Sequence, residues 1–184
     1  MAAKLNVPLI VMGVSGSEKS TVGRMLSNSL ESKFIDGDDL HPRSNKDKMA
    51  TGAPLDDDDR TPWLNAIADQ IQAELTDGNA IIVACSALKR RYRTLLTASA
   101  PSVVFVHLDG ARALISDRQT QRDHEYMPNS LLDSQFATLE PLQLDERGIV
   151  VDLNHTPEEI VQLVTRRLAI DFPVDSVRPP MPNE

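Results

Sequence analysis

The chain has 184 residues, 41% of them hydrophobic but only 4% aromatic, and carries a formal net charge of −8. That is enough for one domain with an aliphatic core, and the charge excludes duplex nucleic acid and anionic membranes as general partners. The single Cys85 excludes an intrachain disulfide, and no residue cluster has zinc-ligand spacing. No run reaches the roughly 18 apolar residues of a membrane span, and the N-terminus lacks signal-peptide patterning, so a soluble cytoplasmic protein is expected.

Strands and helices are expected to alternate. Pro8 to Met12 is apolar and long enough for a buried strand. A helical pattern follows, with Val22, Met25, Leu26 and Leu30 on one face. Phe34-Ile35 reads as a second strand, and His41 to Ala50 as a short helix ended by Gly52. The acidic run Asp56 to Asp59 suits the start of a long helix, whose buried face is marked by Leu64, Ile67, Ala68, Ile71 and Leu75. Ala80 to Ala84 is the continuous apolar run of a central parallel strand. A basic helix carrying Lys89, Arg90, Arg91 and Arg93 comes next, then a strand over Val103 to Leu108 and a helix from Ala111 to about Arg122. Asp123 to Pro128 is polar and unpatterned. A helix is expected from about Asn129 to Leu139, a strand over Gly148 to Leu153, and a last helix opened by the capping box of Thr156 and Glu159. The expected fold is a doubly wound α/β domain over residues 1–170, a five-stranded parallel sheet covered on both faces, with a proline-rich tail over 171–184.

One stretch carries chemistry by its spacing. Gly13-Val14-Ser15-Gly16-Ser17-Glu18-Lys19-Ser20-Thr21 lies between a strand and a helix, the context that makes a phosphate loop. Successive backbone N–H groups in such a loop cradle phosphate oxygens, and the helix N-terminus adds partial positive charge. Lys19 would reach the outer phosphates of ATP, and Ser20 would offer its hydroxyl to Mg²⁺. The pattern asks for glycine immediately before the lysine, where this chain has Glu18. A carboxylate about 5 Å from a phosphate costs roughly 3 kcal/mol at an effective dielectric near 20, unless it turns to solvent.

Asp36 and Asp38 stand at the carboxyl end of the second strand, the edge where α/β sheets build ligand sites. Were that strand a neighbour of the first, both would face the γ-phosphate, one serving the metal and the other a substrate hydroxyl. Loop-capping is the plainer use of aspartates in turns. Arg60 has the fork to clamp a carboxylate, or to pair with Asp56 or Asp57. Cys85, His107, His155 and Trp63 read as packing or structural residues. Asn45-Lys46-Asp47 does not fit the guanine-specificity motif of GTPases, because no strand precedes it.

Phe34-Ile35-Asp36-Gly37-Asp38-Asp39-Leu40-His41-Pro42 followed by Asn45-Lys46-Asp47-Lys48-Met49 closely resembles the gluconokinases. So do Pro54-Leu55 with Asp58-Asp59-Arg60 and Pro62-Trp63-Leu64, Cys85-Ser86-Ala87-Leu88-Lys89 with Tyr92-Arg93, and the run from Leu131 to Glu140. The resemblance covers roughly residues 8 to 165. It implies transfer of the γ-phosphate of ATP to the 6-hydroxyl of D-gluconate, the fold of shikimate and nucleoside-monophosphate kinases, a closing lid over 118–128, and a homodimer. On this chain it assigns Gly13, Ser15, Gly16, Ser17, Glu18, Lys19, Ser20, Thr21 and Arg118 to the nucleotide, and Ser20 and Asp36 to Mg²⁺. Lys19, Asp38 and Arg122 would be catalytic. Asp38, His41, Lys48, Arg60, Lys89, Arg93 and His124 would meet the substrate, with Trp63 near the cleft.

The chain departs from the family at Glu18 and at Arg122-Asp123-His124-Glu125-Tyr126-Met127-Pro128, where the family more usually reads Arg-x-Gly-His-Phe-Met. Two other functions compete with an active gluconate kinase: a kinase of the same fold for another small hydroxy acid or a nucleotide, and a weakened gluconate- or nucleotide-binding protein with Glu18 as the lesion.

Overall fold

The computed structural model describes residues 5–120 and 129–173. The expected roles of Arg122 and His124, most of the expected lid and the tail beyond 173 lie outside the described residues.

Five parallel strands form one sheet: β1 (Leu9–Met12), β2 (Lys33–Asp36), β3 (Ile81–Ala84), β4 (Val104–Asp109) and β5 (Gly148–Asp152), in the order β2-β3-β1-β4-β5. The helices are α1 (Lys19–Ser29), α2 (Arg43–Ala50), α3 (Asp57–Thr76), α4 (Arg90–Ser99), α5 (Arg112–Thr120), α6 (Asn129–Thr138) and α7 (Pro157–Asp171). β1 shows how one short strand holds two layers together. Leu9 and Val11 point into a core shared with Val22 and Leu26 of α1 and Val164 of α7. Ile10 and Met12, on the opposite pleat, meet Ile67 and Ile71 of α3 and Leu96 of α4. All four β1 residues are fully buried, so the strand reads as continuous apolar sequence rather than alternation.

The helix starts are set as the sequence suggests. Asp56 and Asp59 form a reciprocal capping box at α3, and Thr156 and Glu159 another at α7, with Pro157 in the first turn.

β2 is not a neighbour of β1; β3 lies between them. The first crossover skips one place, and the later β3 fills it. Since β1 sits between β3 and β4, the direction of winding reverses beside it, and the loop after β1 lies at the crevice where such sheets bind ligands.

Candidate active site

The loop from Gly13 to Glu18 links the buried end of β1 to the first turn of α1. Its backbone needs special residues. Gly13 has φ +143°, and a Cβ there would lie 2.8 Å from the Leu108 carbonyl oxygen and 2.7 Å from Ser17 Oγ. Gly16 has φ +79° and Glu18 has φ +66°. The position before the lysine is therefore left-handed, which is the physical reason the phosphate-loop pattern asks for glycine there. Glu18 accepts the strain and turns its carboxylate to the Thr21 hydroxyl, which donates at 2.9 Å on the exposed first turn of α1.

Lys19 Nζ donates to the Val14 carbonyl oxygen at 2.9 Å and so lies folded over the loop. Ser20 Oγ donates to Asp36 Oδ2 at 2.6 Å. That contact brings the loop to the end of β2 although the strands are not adjacent, because α1 reaches across β3. Asp36 also caps its own turn, with Oδ1 accepting the Asp38 N–H at 3.2 Å. A hydroxyl and a carboxylate, both hard oxygen donors, thus share one spot beside the cradle. That donor set fits Mg²⁺ held jointly with nucleotide phosphates rather than in an all-protein cage. Among the described residues no group of three or more His, Cys, Asp or Glu forms such a cage.

The acceptor side is built on a 3-10 turn, Gly37–Leu40. Gly37 presses against β3: a Cβ there would meet the Ala84 carbonyl oxygen at 2.4 Å. Trp63 of α3, only 2% exposed, donates its Nε1–H to the Gly37 carbonyl at 2.7 Å. The Trp63 ring stacks on His41 with centroids 4.2 Å apart and planes at 14°. His41 is pushed down to a pKa of about 4, first by burial and then by the nearby Arg60 and Lys46 charges. It is neutral at pH 7. Asn45, 3% exposed, gives its Nδ2 to the Asp59 carbonyl at 2.7 Å and lies 3.4 Å from His41 Nδ1. An amide donor at Nδ1 leaves the proton on Nε2, and Nε2 is 3.9 Å from Asp38 Oδ1. The Asp38 side chain is 83% exposed.

The basic residues divide. Lys89 stands just before α4 and bonds Asp57 at 2.9 and 3.0 Å, while Arg91 and the Tyr92 hydroxyl hold the same carboxylate. Arg60 lies over the Tyr92 ring, 5.8 Å from its centroid, rather than on Asp56 or Asp57. Lys48 is engaged with Asp59 and, at 3.3 Å, with Asp56, which ties α2 to the capping box of α3. Arg118 of α5 donates to the Leu153 carbonyl at 2.7 Å.

Arg93 corrects an expectation. Its side chain is 0% exposed, with Glu146 on Nε at 2.6 Å and on Nη2 at 2.9 Å. The carbonyls of Ala87, Leu88, Glu140 and Pro141 take its remaining donors. Five N–H groups with that many internal acceptors leave nothing for a substrate. Arg93 is instead the buried pin between the loop after β3 and the segment after α6.

Asn45, Asp57 and Gln135 belong to the site's surroundings, and none of them was among the expected site residues. A spacing of four residues hints that Asn45 meets His41; Asp57 and Gln135 act across long sequence separations that no local pattern encodes.

The chain matches a family model described as "AAA domain" over residues 9–142. It is 43% identical over 168 residues to a "Probable gluconokinase" of Xenopus tropicalis, covering 83% of this chain and 88% of that one. It is 46% identical over 147 residues to the "Thermosensitive gluconokinase" of Escherichia coli (strain K12), covering 79% of each. Among solved structures, a gluconokinase from Sinorhizobium meliloti 1021 superposes with a TM-score of 0.85 at 40% identity, covering 94% of this chain and 99% of that one. With the phosphate loop, the Ser20–Asp36 pair and the Asp38 turn on one sheet edge, and with relatives this similar over most of their length, the chain belongs to the gluconokinase family.

Proposed function

We propose that this chain transfers the γ-phosphoryl group of ATP to the 6-hydroxyl of D-gluconate, giving 6-phosphogluconate. The observation that carries the reading is the 2.6 Å bond from Ser20 of the phosphate loop to Asp36, two residues from the exposed Asp38 carboxylate. It supports the reading because it joins the phosphate loop to the turn that carries Asp38.

The residues divide the work by chemistry. Backbone N–H groups of the loop and the start of α1 hold the phosphates, and Lys19 swings from Val14 to their outer end. Ser20 and Asp36 would hold Mg²⁺, which when bound neutralises charge on the phosphate oxygens. Asp38 accepts the proton of the attacking hydroxyl, and neutral His41, pinned by Trp63 and Asn45, offers Nε2–H beside it. Arg60 and Lys89 meet the substrate carboxylate, and Arg118 serves the nucleotide side. A homodimer and a cytoplasmic location complete the reading; light scattering of the purified chain tests the first. In the described residues no helix is long and apolar enough to cross a membrane.

The test is ADP formation from ATP and Mg²⁺ with gluconate, shikimate, glucose and CMP offered in parallel. Turnover with gluconate alone supports the proposal, and turnover that prefers any of the others overturns it.

A further inference from the structure

Gln135 is left without a task by the chemistry above. It lies on α6, yet its Oε1 accepts the Ser15 N–H of the phosphate loop at 2.6 Å across 120 positions of sequence. Lys19 Nζ donates to the Val14 carbonyl at 2.9 Å. The Val14 C=O and the Ser15 N–H belong to one planar, trans peptide unit, so two side chains grip that unit from opposite edges. The loop lysine is the group that reaches the outer phosphates, which places this peptide at the outer end of the cradle. A backbone N–H only donates, so the carboxamide arm facing Ser15 is the oxygen, and the other arm is an NH₂ group with two donors. That arm lies beside the outer end of the cradle.

The support under Gln135 is rigid. Leu132 of the same helix is 0% exposed. Past the end of α6, the Glu140 N–H donates to the Leu88 carbonyl at 2.9 Å, and Glu140 Oε2 takes the first N–H of α4 from Arg90 at 2.6 Å. Arg93 holds the carbonyls of Glu140 and Pro141. The backbone that carries Gln135 is thus fastened to the loop that carries Lys89. Ordering a glutamine side chain costs conformational entropy, and here part of that cost is met before any ligand arrives.

We propose that Gln135 is a γ-phosphate ligand: its oxygen fixes the Val14–Ser15 peptide, and its NH₂ arm donates to the outermost phosphoryl oxygens of ATP. This rests on the phosphoryl-transfer reading above but is tested separately from it. Gln135→Glu keeps the acceptor for Ser15 and replaces the donor arm with a charged oxygen in the same shape. Gln135→Ala removes both. Dissociation constants of Mg²⁺·ADP and of a non-hydrolysable Mg²⁺·ATP analogue are measured for the parent chain and both variants, with kcat and KM for gluconate alongside.

The expected result is that Gln135→Glu weakens the ATP analogue by about tenfold or more and ADP by less than about threefold, since only the former carries the outer phosphate. Gln135→Ala is expected to lower kcat about tenfold while the KM for gluconate stays within about twofold. Equal weakening of both nucleotides would mean a distorted loop, and no weakening of either would mean a brace acting through its oxygen alone; each overturns the proposal. If the parent chain fails to phosphorylate gluconate, the functional reading falls, and the nucleotide comparison still decides Gln135. If Gln135→Ala does not fold, the isosteric Gln135→Glu decides.

Discussion

Glu18 Oε2 accepts the Thr21 hydroxyl at 2.9 Å, one helical turn along from the backbone that strains to accommodate it at φ +66°. The carboxylate therefore lies along the exposed start of α1 instead of over the phosphate cradle. At solvent-like dielectric a charge pair a few ångströms apart is worth about 1 kcal/mol, against roughly 3–4 at a partly shielded site. The side-chain geometry selects the smaller value. Glu18→Gly is expected to tighten ATP binding by about fivefold to tenfold, read by calorimetry. Relief of left-handed strain, about 1–2 kcal/mol, outweighs the added freedom of an unfolded glycine, about 0.4–1 kcal/mol, so the melting temperature should hold or rise slightly. Glu18→Gln separates the two effects, since it removes the charge and keeps the strain. An affinity unchanged in both variants would refute the electrostatic account.

Arg93 joins two segments that sequence places about fifty residues apart, and its removal strands the Glu146 carboxylate, whose side chain is 11% exposed. Glu146 is held below the ordinary carboxylate range: burial opposes its charge, and the Arg93 and Gln143 hydrogen bonds overcome that burial. Breaking one half of a buried pair costs about 3–5 kcal/mol. Arg93→Ala is thus expected to lower stability in urea by that order. Arg93→Lys should recover only part of it, because an ammonium cannot reach Glu146 and four carbonyls at once. Loss of gluconate affinity with unchanged stability would return Arg93 to the substrate site.

These two residues mark what the sequence makes legible. The strand–loop–helix context of Gly13 to Thr21, the apolar run from Ala80 to Ala84, the acidic start of α3 and the capping box at Thr156 are local, and local pattern finds them. The placement of β3 between β1 and β2 is not local: it depends on which crossover skips a place, and both orders satisfy the same apolar runs. Arg93 fails for a related reason. A basic residue interleaved with Tyr92 and Leu96 looks like a solvated cation, and its acceptors run from Ala87 to Glu146, the later ones lying beyond β4, α5 and α6. The pairing of Lys48 and Lys89 with the acidic start of α3 is likewise a tertiary contact that no local pattern encodes.

Asp36 and Asp38 are two residues apart but differ in exposure and partner. Asp36 is tied to Ser20 and to its own turn, whereas the Asp38 side chain is 83% exposed and lies 3.9 Å from His41 Nε2. Asp38→Asn should lower kcat by about 10²–10⁴, the range for loss of a positioned base, with nucleotide affinity unchanged. Asp36→Asn should instead raise the Mg²⁺ concentration needed for half-maximal turnover. Titrating Mg²⁺ for both variants checks the division. The same response in both would mean that the two carboxylates share one role.

His41 gives stability a pH dependence whose sign follows from its surroundings. It lies 8% exposed against Trp63 and Asn45, with Arg60, Lys46 and Asp38 nearby. Burial holds its pKa at about 4 in the folded chain, against 6.5 unfolded. Below 6.5 the unfolded chain takes up a proton that the folded chain refuses, so stability is complete above that value and is lost as pH falls toward 4. Between pH 7.5 and 5 the loss is about 2 kcal/mol. Buried His107 is shifted the same way, and lowered carboxylates such as Asp56 and Glu159 begin to act only nearer their own ordinary range. The difference between the parent and His41→Gln therefore isolates His41. Melting temperatures of the two across pH 7.5 to 5 should converge on acidification, the parent falling faster. Parallel curves would mean that burial does not shift His41, so that it would titrate in the ordinary imidazole range in the folded chain as well.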